Sequence, residues 1–170
     1  MALDLSLPQF LTDDVVSMTG IKSATIDYWV KLGHIELDAR PRNWDTGICS
    51  ASDVLKICGA AELRRAGLAV SDHTADLADA IARQCRLWYH QKHGKHWDGA
   101  SPEVRNHGRL LIITIDTNGR QHASPVGRTN EPADPQNGRF VIDCFALAER
   151  VMPRMMAIAE VRKDRSAAAE

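Results

Sequence analysis

The sequence predicts an α+β protein, in which a helical N-terminal half is followed by a small antiparallel sheet and a last helix. In the first 93 residues, apolar side chains recur at helical spacing and each run ends near a glycine. Next comes "RLLIITID" (109–116), which is rich in β-branched residues and is followed by Asn118-Gly119, a strong hairpin signal. From Cys144 onward the apolar spacing is helical again.

The composition is that of an ordinary globular protein. The chain has 170 residues, a net charge of −1 and 44% hydrophobic residues, so it can bury a sizeable core. No apolar run reaches the roughly 18 residues of a membrane span, and "MALDLSLPQF" lacks the pattern of a signal peptide. The cysteines show no CxxC pairing, which favours a reduced cytoplasmic protein with free thiols and no disulfide framework.

The first two predicted helices are short and joined by a tight turn. The first begins after Thr12, an acceptable N-cap, and Gly20 ends it. The second runs from Ser23, its expected N-cap, to Leu32, and Gly33 ends it. The second helix turns a stripe of apolar residues toward the core: Ile26, Trp29 and Val30.

Two longer helices follow a candidate β-wing. The stretch "HIELDARPRNWDTGICSAS" (34–52) is interpreted as two short extended pieces around a loop. Ser52 is the expected cap of a third helix that ends at Gly67, and Ser71 that of a fourth that continues to Gly94. The third helix carries an inward set, Val54, Ile57, Cys58 and Ala61. The fourth carries another, Leu77, Ile81, Cys85 and Trp88.

The second half predicts a β-meander and a helix. "RQHASPV" is the expected return strand of the hairpin and "RFVID" a third strand, with a proline-containing loop over 127–138 between them. The last helix should place Ala148, Met152, Met155 and Ala159 on one side, and such methionines serve as core filler, a partner surface or a ligand pocket. Pro153 should either kink this helix or start a new one.

The order helix, turn, helix, wing, helix, helix resembles the winged helix-turn-helix DNA-binding domain of the MerR family over residues 10–82. The matching pieces are "GI" at 20–21, "IDYW" at 26–29, "KLG" at 31–33 and "LRRAG" at 63–67. The resemblance implies a bacterial or phage transcription regulator, cytoplasmic and associated with the nucleoid, that binds an inverted-repeat promoter site as a homodimer. It also implies RNA polymerase as a further candidate partner.

The resemblance does not extend to the C-terminal half, but the sequence changes character near residue 90. We therefore predict a DNA-binding domain (8–93), a linker (94–108) and a small α+β domain (109–165) for dimerisation, partner or ligand binding. Dimerisation would use the helix from Ser71 onward or the region 145–161. In such domains a helix presents its first residues to the major groove while a wing contacts phosphate. The expected DNA-contacting residues are Lys22, Ser23, Thr25, Tyr28, Lys31, Arg40, Arg42 and Asn43.

Two departures from the family pattern affect these contacts. Asp27 replaces an arginine that binds phosphate in the family, and Gly47-Ile48 replaces the usual Tyr-Arg pair of the wing. Residues 1–85 carry 8 Lys+Arg against 12 Asp+Glu, a charge of −4, whereas residues 86–170 carry 13 against 10, a charge of +3. Because non-specific DNA affinity comes mainly from cations, the few in the first half must share one face.

Two alternative functions stay open. One is an excisionase-like architectural factor that bends DNA; such factors are usually small and basic. The other is a protein-interaction adaptor that has lost DNA binding, as Asp27 and the altered wing suggest. Neither alternative, nor the regulator, is an enzyme, and no GxSxG, phosphate-binding glycine loop or HExxH occurs in the chain.

A metal site is the weaker interpretation of "WYHQKHGKHW" (88–97). Its histidines, His90, His93 and His96, are spaced by three, and Cys85 lies shortly before them. Steps of three drift around a helix, and zinc sites usually use cysteine pairs or histidines at i, i+4. The stretch is therefore interpreted as a solvated helix end and linker, and no metal or other cofactor is predicted.

Overall fold

The computed structural model describes residues 3–38, 48–93, 109–116, 118, 120–125 and 139–167, and the structural statements below concern these residues. Their elements are β1 (Pro8–Leu11), α1 (Thr12–Thr19), α2 (Ser23–Lys31), β2 (Ile48–Ser50), α3 (Ala51–Arg65), α4 (Asp72–His93), β3 (Leu110–Ile115), β4 (Gln121–Pro125), β5 (Arg139–Asp143) and α5 (Cys144–Ala167). Five helices thus combine with two small antiparallel sheets in the described residues, so the predicted α+β class is confirmed. None of these helices is long and apolar enough to cross a membrane.

The first two helices begin at the residues that were expected to cap them, one residue earlier than predicted. Thr12 is the first helical residue of α1, and the Asp14 carboxylate accepts the N–H of the N-cap Leu11 at 2.7 Å. Ser23 is likewise the first residue of α2, whose N-cap is Lys22. The expected N-cap roles of Thr12 and Ser23 are therefore wrong, although both helices lie where they were predicted.

The N-cap of α3 is Ser50 and not Ser52. Ser50 and Asp53 cap each other: the Asp53 N–H donates to the Ser50 Oγ at 3.0 Å, and the Ser50 N–H donates to the Asp53 carboxylate at 3.0 Å. Ser52 instead donates its N–H to the carbonyl of Leu5 at 3.0 Å. The reciprocal pair satisfies the backbone N–H groups of both Ser50 and Asp53. Ser52 cannot form such a pair, because the residue three positions after it is not acidic.

Glycines end the short helices, as predicted. Gly20 follows α1 with φ of 71° and Gly33 follows α2 with φ of 76°, a left-handed conformation that other residues adopt only with strain. At Gly33 the end is a Schellman motif, in which the Gly33 N–H donates to the Val30 carbonyl at 3.1 Å and the His34 N–H to the Trp29 carbonyl at 2.8 Å.

The predicted wing is corrected in part. The segment 48–50 is extended, but its partner is β1, which the sequence did not predict, and residues 34–38 form no strand. The polar groups of 36–38 are used by α3 instead, since Lys56 donates to the Glu36 carbonyl at 2.9 Å and Asp53 accepts the Asp38 N–H at 2.6 Å. The loop of the wing, 39–47, lies outside the described residues.

The second sheet is antiparallel throughout with strand order β4-β3-β5, so the predicted meander is wrong: β3 lies in the centre, and β5 pairs with β3 and not with β4. Asp116 closes the hairpin between β3 and β4, because its carboxylate accepts the N–H groups of Asn118 and Arg120, each at 2.8 Å. The inward face of the sheet includes Leu111 and Ile113, both almost completely buried. The predicted hairpin and third strand are therefore confirmed.

Helix α5 runs without interruption through Pro153, so the alternative of a new helix starting there is wrong. Pro153 cannot donate a hydrogen bond to the carbonyl of Glu149. Both residues are exposed, so water can take the place of the missing donor. Met152 and Met155 on the opposite side are fully buried, which makes them core residues and not a partner surface.

One cluster of buried residues draws on both halves of the chain. Helix α4 contacts α3 and also α5, and the Cys85 thiol donates to the carbonyl of Cys144 at 3.2 Å. The Tyr89 hydroxyl further bonds the backbone of Leu3, which connects α4 to the N-terminal residues. The division into domains 8–93 and 109–165 stays a prediction, and the linker 94–108 lies outside the described residues.

Candidate nucleic-acid interface

Helix α2 has one buried side and one exposed side. Ile26 and Trp29 are 1% and 4% exposed and attach the helix to the core, as the apolar stripe predicted. Lys22 and Ser23 are exposed at its start, and Lys31 is exposed at its end. The helix therefore presents a polar surface that a double-stranded DNA groove could receive.

The N-terminal end of α2 has no side-chain cap. The backbone of the N-cap residue Lys22 is extended, with φ of −64° and ψ of 142°, and no side-chain capping hydrogen bond is made there. The Thr25 N–H donates to the carbonyl of Lys22 at 2.9 Å, and the Thr25 side chain is half-buried. An uncapped helix start with a lysine beside it is suited to an anion such as phosphate.

Further along α2, aromatic and apolar side chains are exposed beside the charged ones. Tyr28 is 57% exposed and its ring meets His34 edge-on, with centroids 6.0 Å apart. Leu32, which the sequence did not single out, is 50% exposed. Asp27 is half-buried on the same helix. Its carboxylate adds negative charge near the exposed face of α2, where the cations are Lys22 and Lys31.

The turn between α1 and α2 is anchored from α3. The Arg65 guanidinium donates to the carbonyl of Thr19, the last residue of α1, at 2.9 Å. The Thr19 hydroxyl accepts the N–H of Ile21 at 3.1 Å and so fixes the turn from the other side. Arg65 also pairs with Glu62, and Glu62 pairs with Arg150 of α5. The motif "LRRAG" predicted a helix end here but did not indicate this anchoring role.

The remaining predicted DNA-contacting residues, Arg40, Arg42 and Asn43, lie outside the described residues. On either side of 39–47, Asp38 and Ser50 form a polar cluster with Asp53 and Lys56 of α3. Lys56, only 5% exposed, donates to the Asp38 carboxylate at 2.8 Å, and this hydrogen bond holds the pKa of Asp38 below its ordinary 3.8. A cavity of about 420 Å³ opens beside the cluster and is lined by Leu5, Ser6, Pro8, Asp38, Ser50, Ser52 and Arg86.

The histidines at the end of α4 surround an aromatic ring. The rings of His90 and His93 lie 5.9 Å and 4.8 Å from that of Tyr89. Cys85 is fully buried, and burial raises the pKa of its thiol well above 9.0. In the part of the chain that the structure describes, which leaves out His96, no three His, Cys, Asp or Glu side chains are grouped as a metal site.

No protein-family model matches this chain, and comparison with curated proteins finds no significant match. The interpretation of α2 as a DNA-reading helix therefore depends on its sequence motifs and on the geometry described above.

Proposed function

We propose that this protein is a sequence-specific DNA-binding transcription regulator of the MerR type that acts as a homodimer on an inverted-repeat promoter site. The observation that carries the proposal is the exposed, uncapped start of α2, where Lys22 and Ser23 stand on a helix fixed to the core by Ile26 and Trp29. A rigid helix with free donors at its start can bind phosphate there and present the next turn to base edges.

The support for this helix extends to its surroundings. The φ of 71° at Gly20 sets the turn before α2, and Arg65 holds the end of α1 through the Thr19 carbonyl. Tyr28 lies in the middle of α2 and Lys31 is its last residue, and both are exposed. Arg40, Arg42 and Asn43 are proposed to add phosphate contacts from the wing.

Dimerisation is part of the same proposal, since paired half-sites raise both affinity and specificity. Helix α4 uses its apolar stripe inside the molecule, with Ile81 and Cys85 fully buried. Helix α5 leaves Val161 51% exposed near its end. Helix α4 also leaves Leu87 37% exposed, so both elements that the sequence suggested remain candidates for the contact between copies, and the end of α5 is the more exposed of the two.

A salt titration of DNA binding tests the proposal. Sites are first selected from random double-stranded DNA, and affinity is then measured over a range of salt concentrations. Each phosphate contact contributes a slope of about −0.9 in log affinity against log salt. Lys22→Gln and Lys31→Gln should each weaken binding and reduce the slope by about one such contact. Lys92→Gln is the control, because Lys92 lies over the Trp88 ring on α4 and not on α2.

Asp27 provides a second, sharper test. If this carboxylate selects against unwanted sequences, Asp27→Arg will bind more tightly but less selectively, because it removes repulsion and adds a phosphate contact. If binding and selectivity do not change, Asp27 takes no part in DNA recognition.

A protein-interaction adaptor is the second candidate, and the exposure of Tyr28 and Leu32 on α2 favours it, since aromatic and aliphatic side chains anchor protein interfaces. The two candidates differ in the salt titration. Complete absence of DNA binding at low salt would exclude the regulator and leave the adaptor.

A further inference from the structure

Strand β5 lies at one end of its sheet, and within the described residues it pairs with β3 alone. The Cys144 N–H donates to the Arg109 carbonyl at 2.8 Å, which makes these two opposite residues a hydrogen-bonded pair. Such pairs alternate with non-hydrogen-bonded ones in an antiparallel ladder, so every second residue of β5 directs its backbone N–H and carbonyl groups away from β3. These outward-directed residues are Arg139, Val141 and Asp143.

The centre of this outer edge lacks the usual protection of a free strand. Val141, the middle residue of β5, is 56% exposed, and β5 pairs with β3 in a continuous register. Strand β4, at the other end of the sheet, exposes the polar His122 and ends in Pro125. Sheets commonly block a free edge with charges, proline or a bulge, because unpaired backbone groups bind other strands. The edge of β5 is therefore suited to receive a further strand.

The sequence of β5, RFVID, is complementary to a second copy of itself. In an antiparallel pair centred on Val141, the two Val141 residues lie opposite each other, and Arg139 comes opposite Asp143. On the other face Phe140 comes opposite Ile142. Aromatic, β-branched and opposite-charge pairs across two strands are stabilising, whereas a pair centred on Arg139 or on Asp143 would place like charges opposite each other.

The backbone geometry agrees with the same register. A pair centred on Val141 brings outward-directed residues of one copy opposite outward-directed residues of the other. The two Val141 residues then form a hydrogen-bonded pair in which each N–H donates to the other carbonyl. Side-chain complementarity and the direction of the backbone groups thus select one register independently.

A cavity of about 360 Å³ lies beside this edge, between β5, the end of α3 and α5. Its lining includes Ala66, Ile142 and Leu147. In the register centred on Val141, Phe140 of the second copy comes opposite Ile142 on the same face of the sheet, which directs its ring toward this cavity. A stable dimer needs more buried area than one pair of short strands supplies, and a ring that fills the cavity adds apolar contact.

We infer that the outer edge of β5 is a homodimer contact, which pairs antiparallel with the β5 of a second copy around Val141 and joins the two sheets into one. This contact lies outside α4 and α5, the elements considered above for dimerisation. Its relevance to DNA rests on the proposed function, whereas the strand pairing does not and is measured without DNA.

Val141→Lys is the direct test, because it places two ammonium groups opposite each other at the centre of the pair while the side chain stays exposed in a single copy. His122→Lys is the matched control, since it adds lysine at an exposed position of the opposite edge strand. Sedimentation equilibrium of the full chain gives the dimer Kd. We expect Val141→Lys to raise it about tenfold or more and His122→Lys to leave it within about twofold of wild type.

Val141→Pro removes the central N–H without removing a donor to β3, because this N–H points outward. Ala123→Pro is its control on β4. The Asp116 N–H donates to the Arg120 carbonyl at 2.8 Å, so by the same alternation the Ala123 N–H also points away from β3. Val141→Pro should weaken the dimer as Val141→Lys does, and Ala123→Pro should not. Far-UV circular dichroism and the urea midpoint verify that each variant is folded.

Cross-linking tests the register in a variant that keeps the fold. The four native thiols are buried, so a cysteine at an exposed position is the thiol that reacts. Because Val141 lies opposite itself in the inferred pair, Val141→Cys should be joined into a covalent dimer by a short bis-maleimide. His122→Cys, which is equally accessible on β4, should form much less of it.

The outcomes separate this inference from the proposed function. A wild-type chain that stays monomeric at every concentration, a Val141→Lys protein that dimerises as wild type does, or equal cross-linking of the two cysteine variants would each overturn the pairing of β5. A dimer that depends on Val141 but binds no DNA would support the pairing and refute the regulator. Selective DNA binding by a chain that forms no dimer would do the reverse.

Discussion

Replacing Gly59 with alanine tests the packing between α3 and α4. A Cβ atom at Gly59 would lie 2.8 Å from the carbonyl oxygen of Ala78, 3.3 Å from its Cα and 3.3 Å from the Cβ of Ile81. The nearest of these atoms belongs to the backbone of α4, so no change of side-chain rotamer can relieve the contact. The two helices would have to move apart.

Two opposing effects set the size of the change. Alanine is favoured over glycine in a helix interior by about 1 kcal/mol. Overpacking a core costs about 1–3 kcal/mol, and the upper end applies at Gly59 because the clash is with backbone. The net expectation for Gly59→Ala is a loss of about 2 kcal/mol in the free energy of unfolding. For a chain of this size that corresponds to a fall in Tm of about 4–8 °C.

Urea unfolding followed by far-UV circular dichroism measures this change. Ala157→Gly, at an exposed position in α5, calibrates the propensity alone and should cost about 1 kcal/mol. Combining Gly59→Ala with Ile81→Ala should give no rescue, because the Ala78 carbonyl remains in place. A Gly59→Ala protein as stable as wild type, or more stable, would refute the close approach of the two helices.

Three further predictions concern a turn, the thiols and an ion pair. Gly33→Ala should cost about 1–2 kcal/mol in a thermal melt because φ is 76° at this position, and Gly33→Asn should cost less; equal stability of the two variants would contradict this. Burial raises the pKa of the four thiols, to about 12 for three of them and well above 9.0 for the fourth. A thiol reagent at about pH 8 should therefore modify the native protein far more slowly than the urea-unfolded protein, and one fast native thiol would refute it. The buried thiols are Cys49, Cys58, Cys144 and Cys85. The lowered pKa of Asp38 gives stability that is present above its ordinary 3.8 and lost as pH falls through the lower folded value. Because Asp38 is 58% exposed, the effect should stay below about 1 kcal/mol. The difference in urea midpoint between wild type and Asp38→Asn should shrink as pH falls below about 4, and a constant difference would contradict it.

Local patterns predicted most of the elements because they depend on neighbouring residues. The apolar stripes placed all five described helices, and Asn118-Gly119 placed the hairpin. The caps were less predictable: Ser52 is an ordinary capping residue by type, but only Ser50 has an aspartate three positions later in Asp53. The N-cap of α3 can be assigned to Ser50 and not to Ser52 only if Asp53 is recognised as the residue that caps it in return.

What the sequence did not predict depends on contacts between distant residues. Strand β1 forms because Phe10 and its neighbours pair with 48–50, and no local alternation marks so short a strand. A lysine is usually exposed, so the residue type alone would place Lys56 on the surface. It is buried because its ammonium donates hydrogen bonds to the Glu36 carbonyl and to the Asp38 carboxylate, which also balances its charge. The exposed residues of α2 were predictable from the pattern, whereas the Arg65 contact that steadies its preceding turn was not.

The shared core has a consequence for how the chain folds during synthesis. The ribosome releases the N-terminal helices first, whereas Val151, Met152 and Met155, which are buried in that core, come from α5 at the other end of the sequence. Arg162 of α5 then bonds the Gln9 carbonyl and the Asp14 carboxylate, two residues that are synthesised well before it. A nascent chain that stalls before residue 144 would therefore expose apolar surface of α4, the kind of surface that chaperones bind and that aggregates if it is left uncovered.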